Sequence, residues 1–146
     1  MAKKPKQPKV AQAPIVRKTA KFETDPTIKG GPISWRFSHA DKAGPFAWTC
    51  FEEAAIMGDV LTHLTNVEGL SEKDLINGGS HAIEVYKLSK PARDRLEELQ
   101  HDDLDSLFSL RMTGKRRIFC IHHGTIMRVL WYDPEHQVCP ATLKHT

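Results

Sequence analysis

Hydrophobic residues recur along this chain with two different periods. In "ISWRFSHA" (33–40), Ile33, Trp35 and Phe37 alternate with other positions, the period of a strand. From residue 46 the period lengthens. Ala47, Phe51, Ala54, Ala55, Leu61 and Leu64 fall along one face of an amphipathic helix expected over 46–64, with Pro45 just before it and Gly58 weakening its middle. The glycine-punctuated "NVEGLSEKDLINGGSH" predicts a loop holding a short helix opened by Ser71, and "HAIEVYKL" fits either a short strand or an extended connector. "LSKPARDRLEELQ" (88–100) is the plainest helix: Ser89 suits the N-cap, Pro91 suits the first turn, and Leu88, Ala92, Leu96 and Leu99 make one stripe. After "HDDLD" the period returns to 2. Strands are expected over 106–112, 115–122 and 125–132, separated by Thr113-Gly114 and His123-Gly124, both suited to tight hairpin turns. The order β-α-α-β-β-β predicts an α+β fold, an antiparallel sheet with helices packed on one face.

Charge changes this picture at both ends of the chain. Residues 1–36 carry nine Lys/Arg and two acids, while the remaining 110 residues carry twelve Lys/Arg and sixteen acids. The first segment is rich in Lys and Pro and poor in large apolar residues. Residues 1–32 are therefore expected to be a disordered basic arm and 33–146 a single domain. The arm suits nucleic acid and a solubilising tail equally well. In the domain, Pro91–Leu110 holds two Arg and six acids, whereas Arg111–Arg128 holds five bases and no acid. No apolar run reaches the roughly 18 residues of a membrane span. No apolar stretch follows the basic start as in a secretory leader. Three cysteines without framework spacing suit a reducing, cytoplasmic setting.

Strict alternation assigns the strand side chains to faces. Phe108, Leu110 and Met112 share one face with Met127, Val129 and Trp131, while Arg111, Arg128 and Tyr132 share the other. With Phe119 and Ile121 in the core, Arg116 and His122 join that second, basic face. A sheet covered by helices on one side only can display cations on the other, where they stay hydrated. The competing reading pairs these arginines with the acids of "DDLD". Arginines beside Tyr132 and His136 would suit RNA cleavage, since guanidinium stabilises charge on phosphorus and His or Tyr moves protons. Cys120-x-His122 and His136-x-x-Cys139, with His123, are ligand-type pairs, but their spacing fits no zinc motif, so no metal is expected.

The order of elements, together with "LRMTGKRRIFCI" followed by "GTIMRVLWYDPEHQV", resembles the RelE/ParE superfamily of bacterial toxin–antitoxin systems. The resemblance covers about residues 34–140 and is most pronounced over 104–139. It implies a cytoplasmic, cofactor-free, metal-independent endoribonuclease that cuts mRNA at the ribosome and is neutralised by an antitoxin protein; the oligomeric state stays open. In such enzymes the 2′-hydroxyl attacks the adjacent phosphate. By position, Arg116, Arg128, Tyr132 and His136 would be catalytic, and Arg111, Lys115, Arg117 and His122 would bind RNA phosphate. The chain departs from the pattern where lysines precede the hairpin in the founding toxin: Leu107 and Ser109 stand there. The loop at 66–86 is long, and the basic arm is an addition. The gyrase-directed ParE branch shares the fold without the nuclease residues. The alternative is therefore a non-catalytic module binding nucleic acid or protein.

Overall fold

The computed structural model describes residues 30–49 and 53–140. Most of the expected basic arm, residues 1–29, lies outside these, as do residues 50–52 of the expected 46–64 helix. The elements are β1 (Ser34–Arg36), α1 (Ala54–Val67), α2 (Glu72–Asn77), β2 (His81–Glu84), α3 (Lys90–Glu98), β3 (Ser106–Arg111), β4 (Arg117–His123) and β5 (Ile126–Asp133). The strands form one sheet in the order β1-β5-β4-β3-β2. From β2 to β5 neighbours are antiparallel, whereas β1 runs parallel to β5, with Ser34 opposite Ile126 and Arg36 opposite Arg128. The fold is α+β as expected, but the sheet is mixed rather than antiparallel. No helix among the described residues is long and apolar enough to cross a membrane.

Local chemistry explains most helix starts. Ser71 and Asp74 form a reciprocal capping box at the start of α2, each side chain accepting from the other's backbone amide at 3.2 and 3.1 Å. At α3, Pro91 occupies the first turn. Ser89 holds the N-cap position, but its hydroxyl is buried without a hydrogen bond, while its backbone amide donates to the Val138 carbonyl at 2.7 Å. α1 begins eight residues later than the sequence period predicts, because Phe46 and Ala47 serve another purpose. Phe46 is buried against Trp131, ring centroids 5.4 Å apart, and its carbonyl accepts from the Tyr132 amide at 3.3 Å.

The sheet is covered on both faces, which corrects the one-sided arrangement. On the first face, Val60 and Leu64 of α1 and Leu75 of α2 pack against Phe108, Leu110, Ile118, Cys120, Met127, Val129 and Tyr132. On the second, Ala92 and Leu96 of α3 join Leu88, Phe46 and Val138 over Leu107, Phe119, Leu130 and Trp131. Burying an aliphatic or aromatic side chain contributes about 1.5–3 kcal/mol, so neither layer is dispensable.

A bulge decides which residues face which layer. Phe119 pairs with Trp131 and Cys120 with Val129, leaving Leu130 as one extra residue in β5. Its carbonyl accepts from the Asp41 amide at 2.9 Å and from Trp48 Nε1 at 3.0 Å, so the segment after β1 anchors the irregularity. Beyond the bulge the alternation changes phase. Trp131 joins the second core, where it is fully buried, and Tyr132 turns into the first at 5 % exposure.

Candidate nucleic-acid interface

The β3–β4 hairpin carries the densest positive charge of the described domain. Arg111 and Arg117 stand directly opposite each other in the antiparallel register, so both project from the second face. Burial lowers the Arg117 pKa from its ordinary value and the Arg111 charge lowers it further; Asp133, next in register on β5, works in the opposite sense. Arg117 Nη1 donates to the backbone carbonyls of Gly114 and Arg116, each at 2.8 Å. The Asp133 carboxylate is occupied by the backbone amides of Gln137 and Val138, both at 2.8 Å, which closes the turn after β5. The Arg111 side chain lies flat on Gly79. A Cβ there would stand 2.8 Å from its Nη1, and Gly79 has φ +104°, so both contact and backbone require glycine.

His136 sits in that closing turn with φ +60° and a buried Nδ1 that makes no hydrogen bond. The turn touches the hairpin through Lys115 and Glu135, whose Nζ and Oε1 are 2.6 Å apart in an exposed ion pair. Arg111, Lys115, Arg117 and the turn bearing His136 therefore meet at one end of the sheet.

The other expected site residues go elsewhere. Arg128 shares the second face with Arg111 but pairs with Ile121, four residues along β4 from Arg117 and about 13 Å away. There it stands beside Arg36 across the parallel β1–β5 pair, at the opposite end of the sheet. Tyr132, expected beside Arg128, is under Trp48 on the first face, ring centroids 5.7 Å apart; the bulge is the reason. Arg116 and His122 follow Ile118 and Cys120 to the first face rather than the basic one. Arg116 lies 3.7 Å from Asp59 of α1, and His122 lies 3.6 Å from Glu72 of α2 while its Nε2 is 2.7 Å from the Gly124 carbonyl. Phe119 is in the core as expected, but so are Ile118 and Cys120.

The acids of "DDLD" are not the partners of this basic segment. Among the described residues its ion pairs run to Asp59, Glu72 and Glu135. The Cys120 thiol faces the first core, where burial pushes its pKa far up. Among the described residues no three His, Cys, Asp or Glu side chains stand close enough to share a metal ion.

Two groups were invisible to sequence reasoning. Asp41, nearly fully buried, accepts from Arg95 Nε and Nη2 at 2.9 and 2.8 Å, from Trp131 Nε1 at 2.8 Å and from the Ala43 amide at 3.1 Å. Burial works to raise its pKa, but these donors outweigh it and hold the carboxyl below its ordinary value. Arg95 in turn crosses Gly44, where a Cβ would fall 2.5 Å from its Nε. His63, a lone histidine on α1, stands beside Arg116. Neither group belongs to a motif with a recognisable spacing. Against known proteins, the chain matches no family model, no curated protein and no solved structure.

Proposed function

We propose that this chain binds RNA at the hairpin end of its sheet and acts there as the endoribonuclease toxin of a type II toxin–antitoxin system, cutting mRNA at the ribosome and held in check by an antitoxin protein. The observation that carries the reading is the Arg111–Arg117 pair. Like charges directly opposite on neighbouring strands destabilise a sheet. A phosphodiester lying across both guanidinium groups would relieve the repulsion and accept several charge-assisted hydrogen bonds. Lys115 extends the positive field, and His136 in the adjoining turn is the proton donor of this reading. The meander with "LRMTGKRRIFCI" on it supports the family resemblance, and the short α2 and β2 occupy the long 66–86 segment that departs from the pattern.

A second reading, the non-catalytic binding module, is favoured by one observation: Tyr132 is buried, Arg128 lies at the far end of the sheet and Arg116 is on the opposite face, so three of four expected catalytic groups stand outside the site. One experiment divides the two. Fluorescence anisotropy with single-stranded RNA is expected to show affinity falling with salt, with Arg111→Ala and Arg117→Ala each flattening the slope by about 0.7. Induced expression is then followed by mapping of mRNA 5′ ends. New ends with growth arrest, lost in His136→Ala, support the nuclease. Binding without new ends supports the module, and absence of RNA binding rejects this interface altogether.

A further inference from the structure

The end of the sheet opposite the arginine hairpin carries a polar cluster that the RNA reading leaves unused. There the β4–β5 turn, the start of α2 and the chain entering β1 enclose a cavity of about 260 Å³, with Gly30, Glu72, His122, Gly124 and Thr125 in its wall. Backbone bonds build the enclosure. Ile33 donates to the Leu70 carbonyl at 3.0 Å and Ser34 to the Thr125 carbonyl at 2.8 Å, so the entering chain is tied to both neighbours. Glu72 comes from the first turn of α2 and His122 from the end of β4.

His122 is held in one orientation. Its Nε2 lies 2.7 Å from the Gly124 carbonyl, and a carbonyl only accepts, so Nε2 carries the hydrogen. Phe108 meets the ring edge-on, centroids 5.6 Å apart. In the neutral ring Nδ1 therefore bears the lone pair, and it faces Glu72 Oε2 across 3.6 Å. Two acceptors so placed repel unless a positive charge stands between them. A proton on Nδ1 is one such charge, but a charge-assisted hydrogen bond closes to about 2.7–2.9 Å, well short of this gap. A metal ion is the other. Zinc binds imidazole nitrogen and carboxylate oxygen at about 2.0–2.2 Å, which puts two donors at a tetrahedral angle about 3.4 Å apart. The observed gap is close to that spacing. Donation of the remaining ring N–H to a backbone carbonyl is also how a ligating histidine is commonly oriented.

Both side chains are open to an ion, His122 at 25 % and Glu72 at 46 % exposure. His122 Nδ1 makes no hydrogen bond and is not sealed, unlike the Thr125 hydroxyl in the same wall, which has no surface to offer. Among the described residues no third His, Cys, Asp or Glu comes within reach, so water fills the remaining positions.

We propose that Glu72 Oε2 and His122 Nδ1 bind one zinc-like divalent cation, completed by water, at this end of the sheet. The ion ties α2 to the end of β4 beside the entering chain and gives His122 a role away from the basic face. With only two protein ligands it exchanges with free metal, so occupancy follows the surrounding concentration. The site shares no residue with the Arg111–Arg117 interface, and its standing does not depend on the RNA reading.

The test titrates zinc chloride into the full chain in chelator-washed buffer, followed by calorimetry and by the thermal unfolding midpoint. One saturable equivalent is expected, with the midpoint rising by about 4 °C or more at roughly a hundredfold excess over Kd. Glu72→Gln and His122→Gln should each weaken zinc binding at least about tenfold and remove the rise. Magnesium, which prefers an all-oxygen shell, should produce neither effect. Cys139→Ser, which removes a partly exposed thiol, should leave zinc binding unchanged. If His122→Gln does not fold, the exposed Glu72→Gln carries the test. Zinc that binds Glu72→Gln as tightly as the parent chain is an adventitious ion only and overturns the proposal. Absence of saturable binding overturns it too, and a metal-free midpoint lowered by Glu72→Gln would then mark the contact as a simple ion pair.

Discussion

Two arginine sites on the same sheet face make opposite use of the same chemistry. At one, Arg95 meets the buried carboxylate of Asp41 through two parallel hydrogen bonds, Trp131 adds a third donor, and every group is matched. At the other, Arg117 faces Arg111 instead of an acid, and the one carboxylate in register, Asp133, is committed to backbone amides. The first arrangement ties the segment after β1 to α3 and β5. The second leaves two like charges facing each other with only partial compensation from Asp133, and it is this arrangement on which the proposed RNA reading rests.

Breaking the matched site should have the largest effect. Asp41→Ala leaves Arg95 and Trp131 Nε1 without their acceptor inside the second layer. A loss of about 3–5 kcal/mol in denaturant unfolding is expected, as for other broken buried ion pairs. Acid should reach the same site more gently. Asp41 binds its proton less tightly folded than unfolded, so its stabilisation is complete above its ordinary value of 3.8 and is lost as pH falls below that through the lowered folded value. Asp41→Asn should flatten this part of the acid dependence, read as unfolding midpoint against pH.

At the unmatched site the sign should reverse. Arg117→Ala is expected to leave stability unchanged or raise it by a few tenths of a kcal/mol, because a like-charge pair is relieved, while RNA affinity falls. A substantial destabilisation would make Arg117 a structural residue and erase the contrast between the two sites. Smallest of all, Lys115→Ala removes an exposed ion pair with Glu135 and should change stability by under about 0.5 kcal/mol, while reducing the salt dependence of RNA binding.

Much of the scaffold was legible in the chain, and the reasons it was not elsewhere are specific. The meander, α3 and the Ser71 helix follow from alternation, turn residues and caps, all of which are local. The second layer had a signal too: Leu107 with Phe108, and Ile118 through Ile121, are apolar at both parities, the pattern of strands buried on two faces. The parallel partner of β1 and the Asp41–Arg95 contact are non-local and leave no mark on spacing. The bulge is hidden because Val129, Leu130, Trp131 and Tyr132 offer no polar residue to mark a missed beat. That is why Tyr132 does not join Arg111 on the second face, while burial on both sides of the sheet carries Arg117, rather than the expected Arg116, to stand opposite Arg111.

The extra residue at Leu130 also matters for how relatives of this chain are compared. A one-residue gap there would restore unbroken alternation: a chain lacking Leu130 would keep its tryptophan opposite Phe119 in the second layer and its tyrosine opposite Ile118 in the first, and would lose the carbonyl that receives the Asp41 amide and Trp48 Nε1. An alignment that slides the gap to the nearby "DPEH" would equate side chains on opposite faces. For this sheet, the placement of one gap decides which residues can be called equivalent.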